Sequence, residues 1–300
     1  MVRPCHLLLC ALWLLAATLP AAAQGDPALL TGTLAKVRQA GSIQLGYRES
    51  SIPFSYRSAA GEPIGYSIDL CKLVVDAISE ELGREIVIRW VPVTSESRIA
   101  AVVAGQVDLE CGSTTNNLER QKQVAFSPTL FVSGTKLLVK KGSPIRSYRD
   151  LAGKRVVVTA GTTNEKTLRE LAARFKIEMN LVVAADHAAS YAQLAAGQAD
   201  AFATDDVLLY GLVAQNKAQA DYAVVGDFLS YDPYGLMFRK GDAPFAKLVN
   251  RSFQQLAEDG EIERRYKRWF LRKLPSGVSL DLTMSPQLET ILQTMATRTE

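Results

Sequence analysis

One eleven-residue pattern occurs twice in this chain and constrains its fold more than any other feature. Ile99-Ala-Ala-Val-Val-Ala-Gly-Gln-Val-Asp-Leu109 reads like Tyr191-Ala-Gln-Leu-Ala-Ala-Gly-Gln-Ala-Asp-Ala201. Each copy is a helical stretch stopped by Gly-Gln, after which an Asp opens a short apolar strand. Glycine is the usual stop for a helix because it takes the left-handed conformation cheaply. Ala-rich helix ends resemble one another by chance, so the weight falls on the flanks, and these repeat as well. Before the first copy the residue pattern predicts a strand over Ile43 to Tyr47, a helix over Tyr66 to Leu82 and a strand over Ile86 to Val91; a helix from Glu96 to Ala104 and a strand from Val107 to Cys111 complete the unit. In the second half the same order runs through Arg155 to Thr159, Asn164 to Phe175, Asn180 to Val183, Ala188 to Ala196 and Ala199 to Ala203. Strand and helix in alternation mean βαβ units and a parallel sheet in each half.

The two halves are joined twice. Phe126-Ser-Pro-Thr-Leu-Phe-Val-Ser-Gly134 leads into a strand at Lys136 to Val139, and Tyr231-Asp-Pro-Tyr-Gly-Leu-Met-Phe238 leads back. A long final helix, Pro244 to Trp269, has no counterpart in the second half, and its apolar positions suit packing on the first. Two crossings make a hinge between two α/β lobes with a cleft between them. The expected division is one lobe over residues 24–132 plus 239–300 and another over 133–238. The last thirty residues read as a tail with a short helix, Gln287 to Met295.

Composition removes several classes of function. Arg3, an apolar run from Leu7 to Leu19 and then Pro20-Ala-Ala-Ala-Gln24 read as a secretory signal over residues 1–23, cut after Ala23. The apolar run is short of the ~20 residues that span a bilayer; an uncleaved anchor is the alternative reading. Lys and Arg number 34 against 31 Asp and Glu, a balance of +3 with no basic block, so nucleic acid is not an expected partner. Two histidines and four cysteines form no zinc-binding spacing, and neither a metal nor a cofactor is expected. In an oxidising compartment Cys71 and Cys111 either bridge or remain two buried thiols, because spacing does not give the Cα separation a bridge demands.

Ligands of open parallel sheets bind outside the carboxyl ends of the strands. Six predicted strand ends carry Arg48-Glu-Ser-Ser51, Thr94-Ser-Glu-Ser-Arg98, Gly112-Ser-Thr-Thr-Asn-Asn117, Gly161-Thr-Thr-Asn164, Asp186-His187 and Thr204-Asp-Asp206. Arg48, Arg98 and Arg120 are three planar forks suited to carboxylates, and Asp205 suits an ammonium group. Gly161-Thr162-Thr163 opens a helix whose amides can receive a carboxylate oxygen. Each residue also has a plainer reading. Thr163 serves equally well as a helix cap, Arg120 as a solvated helix charge, His187 as a cap or surface histidine, and Arg98 as a partner for Glu96 or Glu49. Counted against Asp205 alone, three arginines leave a surplus of positive charge that suits a dicarboxylic amino acid.

Gly65-Tyr66-Ser-Ile-Asp-Leu70, the run Gly112-Ser-Thr-Thr115 through Glu119-Arg120 to Phe126-Ser127, and Gly161-Thr-Thr163 resemble periplasmic amino-acid-binding proteins of ABC importers, solute-binding protein family 3. Arg48-Glu-Ser-Ser-Ile-Pro-Phe-Ser-Tyr56, Thr94-Ser95 with Arg98-Ile99, Glu110-Cys-Gly-Ser-Thr-Thr-Asn-Asn117, and Asp186-His187 with Asp205-Asp206 are similar to its glutamate/aspartate-binding branch. The resemblance implies a type II periplasmic-binding-protein fold, closing as a monomer on L-glutamate or L-aspartate and passing it to a membrane permease. It further implies that Arg120, Thr115 and Thr163 hold the α-carboxylate and that Ser113 and Asp205 hold the ammonium. Arg48, Arg98, Ser95 and His187 would take the side-chain carboxylate. Ser67 departs from the family, which usually has an acidic residue there, and lies outside these contacts. Two other functions use the same scaffold: a sensor of the same ligand, and a small dehydratase or hydrolase with His187 and an aspartate as acid and base and Ser113 as nucleophile. The arginines favour binding over catalysis.

Overall fold

A computed structural model describes residues 30–297; the expected export signal lies outside the described residues. In chain order the first part holds α1 (Gly32–Ala40), β1 (Ser42–Tyr47), β2 (Ser50–Ser51), β3 (Ser55–Arg57), β4 (Pro63–Ile64), α2 (Tyr66–Leu82), β5 (Val87–Pro92), α3 (Arg98–Val103), β6 (Leu109–Glu110) and β7 (Val124–Phe126). Then come β8 (Phe131–Ser133), β9 (Thr135–Lys140), β10 (Arg155–Thr159), α4 (Thr163–Phe175), β11 (Asn180–Ala184), α5 (His187–Ala195), β12 (Ala201–Asp205), α6 (Asp206–Gln215), β13 (Tyr222–Val225) and β14 (Asp232–Tyr234). The chain finishes with β15 (Met237–Arg239), α7 (Ala243–Glu258), α8 (Glu261–Tyr266) and α9 (Pro286–Thr297).

Two five-stranded sheets share one topology, β5-β1-β6-β15-β7 in one and β11-β10-β12-β9-β13 in the other. In each, the second strand pairs in parallel on both sides, and one antiparallel strand joins the last strand to the rest. The expected parallel sheets are therefore mixed at one edge. The strands that arrive from the other lobe, β15 and β9, enter from the opposite direction and must run antiparallel.

The repeated sequence explains the likeness. Gly105 and Gly197 both take positive φ, 73° and 72°, and end their helices. The next amides fold back alike: Gln106 N–H donates to the Ala101 carbonyl and Gln198 N–H to that of Gln193, both near 3 Å. Asp108 then accepts the Gln44 N–H at 2.9 Å, and Asp200 accepts the Arg155 N–H at 2.8 Å. Each aspartate thus latches the end of one βαβ unit to the strand that opens the unit. That is why Gly-Gln-x-Asp occurs at this place in both halves.

The two crossings lie side by side as β8 and β14, an antiparallel pair. Phe54, Tyr66, Phe131, Tyr234, Tyr266 and Phe270 cluster around them, with Phe54 and Tyr234 ring centres 5.1 Å apart. The long final helix is broken at Gly260, where φ is +66°, into α7 and α8, with one π-type turn over Lys267–Leu271. Helix α7 packs on α1 and α2 as expected, and α9 lies on α7 and β8.

Cys71 and Cys111 form a disulfide with Cα atoms 6.1 Å apart. It fastens α2 to the segment just after β6. A bridge closing a loop of this length, 40 residues of separation, removes loop-closure entropy worth about 4 kcal/mol from the unfolded chain. Replacing both cysteines with serine is expected to lower the urea-unfolding free energy by about that amount; an unchanged transition would show that the bridge adds no stability.

Candidate functional site

The carboxyl ends of β1, β5, β6, β10, β11 and β12 meet at one gap between the sheets. Ser95, Arg98, Ser113, Thr115, Thr162, Thr163, Asn164, His187, Asp205 and Leu208 line it. Arg48 donates from Nη2 to Ser95 Oγ at 2.6 Å, and Arg120 donates from Nη1 to the Thr115 carbonyl at 2.9 Å. Seven of the nine residues singled out from the sequence line this cavity, and the other two, Arg48 and Arg120, each bond to a residue that does. The space between atoms there is about 200 Å³.

Local structure decides between the readings that the sequence left open. The cap of α4 is Thr162, whose hydroxyl accepts from the Glu165 amide, so Thr163 is released to the cavity. Asp186 caps α5 by accepting from the Ala189 amide, and His187 is the first helical residue, 1% exposed. Arg120 begins a short 3-10 turn and is 7% exposed, not solvated. Arg98 pairs with neither Glu96 nor Glu49; Glu49 instead meets Arg57 at 3.1 Å.

Electrostatics separate this site from an ordinary polar core. Arg48, Arg98 and Arg120 are buried, and among the described residues none has a carboxylate oxygen within 4.0 Å. Arg48 Nη1, Arg98 Nε and Ser113 Oγ have no hydrogen-bond partner. Buried donors left unpaired are costly, and a charged one more so. Burial, and then the charge of Arg98, push Arg48 and Arg120 each down to about 9; burial also lowers Arg98. The three cations are held at close quarters with donors to spare.

Across the gap, Asp205 accepts from Asn164 Nδ2 at 2.8 Å and from the Tyr234 hydroxyl. Burial, with the charge of Asp232 next, raises Asp205 to about 7. Arg120 also donates from Nη2 to the Gly161 carbonyl at 3.3 Å, joining the two rims. Thr115 and Thr163 hydroxyls are 3.4 Å apart across the same seam. Gly161 has φ +70°, and a Cβ there would lie 2.6 Å from Glu96 Cα, so the rims touch backbone to backbone.

Sequence reasoning missed two buried carboxylates. Glu110 accepts from Thr114 at 2.7 Å through Oε2 and leaves Oε1 unpaired; Asp232 accepts from Thr115 Oγ1 at 3.0 Å. Neither lines the cavity. Setting the three arginines against Asp205 alone therefore overstates the surplus: with Glu110 and Asp232 included, the buried cluster is formally balanced. Glu110 stands inside the string Glu110 to Asn117 and Asp232 inside a hinge string, and only their depth distinguishes them from surface acids. Ser67, the departure from the family pattern, donates to the Gly112 carbonyl at 2.8 Å and so braces the loop that carries Ser113.

A two-lobe α/β scaffold whose facing rims hold unpaired guanidiniums and one carboxylate is the architecture of a binding protein for a small charged solute. Residues 43–272 match the bacterial extracellular solute-binding proteins, family 3, and the chain belongs to that family. It is 47% identical over 266 residues to an L-glutamate/L-aspartate-binding protein of Pseudomonas aeruginosa, covering 88% of each chain. It is 40% identical over 263 residues to the glutamate/aspartate import solute-binding protein of Escherichia coli, covering 87% of each. Among solved structures, an ancestral arginine-binding protein bound to glutamine superposes with a TM-score of 0.69 at 30% identity, covering 77% of this chain and 99% of that one.

Proposed function

We propose that this protein captures an acidic L-amino acid, glutamate or aspartate, in the periplasm and delivers it to the permease of an ABC importer. The observation that carries the reading is the set of three buried arginines without an ion-pair partner. Two carboxylates on one small ligand supply the missing partners, and the names of the relatives support the same ligand class. In this reading Arg120, Thr115 and Thr163 hold the α-carboxylate, Ser113 and Asp205 the ammonium, and Arg48, Arg98, Ser95 and His187 the distal carboxylate. One lobe comprises residues 24–132 plus 239–300 and the other 133–238, and residues 1–23 direct export. A single chain suffices, since one pair of lobes contributes all nine side chains.

Delivery requires the permease to tell closed from open lobes, so the ligand must favour the closed form. A thermal-shift panel of the twenty amino acids tests the proposal. At a ligand concentration 100 times Kd, stabilisation is about 2.7 kcal/mol, which raises the midpoint of a chain this size by roughly 5–10 °C. Glutamate or aspartate is expected to give that shift, and glutamine and lysine little or none. Equal shifts for glutamine and glutamate would remove the assigned role of Arg48 and Arg98.

A further inference from the structure

His187 sits in a chain of three contacts that fixes where its proton lies. Ser190 Oγ is 2.9 Å from the Asp186 carbonyl, Thr159 Oγ1 is 2.7 Å from Ser190 Oγ, and His187 Nδ1 is 3.0 Å from Thr159 Oγ1. A carbonyl only accepts, so the Ser190 hydroxyl donates to Asp186. The Ser190 oxygen then accepts from Thr159. The Thr159 hydrogen is thereby spent, and its oxygen accepts from His187 Nδ1–H. This is the one assignment that gives every contact a hydrogen. A neutral imidazole has a single N–H, so the other ring nitrogen, Nε2, carries a lone pair.

A lone pair cannot donate to a carboxylate. On the ligand assignment proposed above, on which this inference rests, the distal carboxylate arrives beside His187. We propose that His187 takes up a proton as the ligand binds, so that the acidic amino acid and one proton enter the site together. The proton comes from solvent and adds to Nε2; no other bond changes. Charge balance agrees: three arginines already face Asp205, Glu110 and Asp232, a dicarboxylic amino acid adds one net negative charge, and the imidazolium offsets it.

The groups around His187 set the pH window. Arg48 from the end of β1 and Arg98 from α3 face it as cations, and together with burial, the larger cause, they hold the free imidazole well below its usual value. Asp205 faces it from the end of β12, and Asp186 is its own helix cap. Strand β2 and the end of β10 bring only the hydroxyls of Ser50, Ser51 and Thr159, and Glu49 at the head of β2 is turned to Arg57. A ligand carboxylate between His187 and the two arginines raises the imidazole. A raised bound-state value makes the proton's contribution to affinity complete below the free value and lost as pH rises through the bound value. Asp205 behaves in the opposite sense. It is raised to about 7 in the free protein and must ionise to meet an ammonium, so it releases a proton on binding below that pH. Above about pH 7 that release has ended and the uptake at His187 stands alone.

The test combines histidine 15N NMR with calorimetry in buffers of different ionisation enthalpy at about pH 8, using L-glutamate as the probe. His187 is one of two histidines in the chain, and His187→Gln assigns its signal. The free protein is expected to show a neutral Nδ1–H ring and the saturated protein a ring protonated on both nitrogens. Calorimetry is expected to show about one proton taken up, with Kd weakening about tenfold per pH unit between the free and the bound value and levelling off above the bound value. In His187→Gln, whose amide donates without a proton, the uptake should vanish. A free ring protonated on Nε2, or a saturable heat with His187 still neutral, would overturn the proposal and leave glutamate binding intact. Absence of any heat with glutamate and aspartate would instead overturn the ligand assignment and the proton coupling with it.

Discussion

Arg120→Ala is expected to abolish measurable binding of every amino acid, acidic or neutral. The guanidinium of Arg120 bonds to both rims, through the Thr115 and Gly161 carbonyls, and it is assigned to the carboxylate that all amino acids share. Removing one partner of a desolvated charge pair costs about 2–5 kcal/mol, a loss of roughly 30-fold to several thousandfold in affinity. The loss of the hydrogen bond to Gly161 across the seam adds to this by weakening closure. Calorimetry with glutamate, aspartate and glutamine checks the expectation. Retained affinity for any of them within a few-fold of the parent would show that Arg120 does not hold the shared carboxylate.

Arg98→Ala is expected to act on selectivity. In the parent, glutamine offers no charge to Arg48 and Arg98, and a buried charge left unpaired costs about 2–5 kcal/mol. Glutamate should therefore bind at least about 30-fold more tightly than glutamine, and the ratio should collapse toward parity in the variant as glutamate weakens. The ligand-free protein should not lose stability, because Arg98 is buried with Nε unsatisfied beside two other cations and its desolvation is not repaid without ligand. Competition binding and thermal unfolding of the free variant give both readouts. A preserved glutamate preference would reassign the distal carboxylate to other residues. A sharp fall in free-state stability would mean that Arg98 serves as the counter-charge of Glu110.

Much of this was legible before any coordinates. Gly-Gln-x-Asp repeats because its work is local, a helix stop and a latch on the neighbouring strand, and local work leaves local sequence. Most of the residues read from the sequence stand at the ends of parallel strands, which are predictable places, and seven of the nine line the cavity. What stayed hidden depends on depth. Glu110 and Asp232 are acids in strands or hinge strings, and nothing within a few residues announces that they are buried. The bridge between Cys71 and Cys111 needed a Cα separation, which spacing does not encode. The two- and three-residue strands β2, β3 and β4 are too short to show a period of two. The break at Gly260 was overrun because the apolar positions on either side of it continue one face.

Gly161 carries one more implication. Where the lobes meet, the stop is main chain against main chain at Glu96, with no side chain interposed. At this point the approach of the rims is set by main chain, and any side chain at position 161 would wedge them apart.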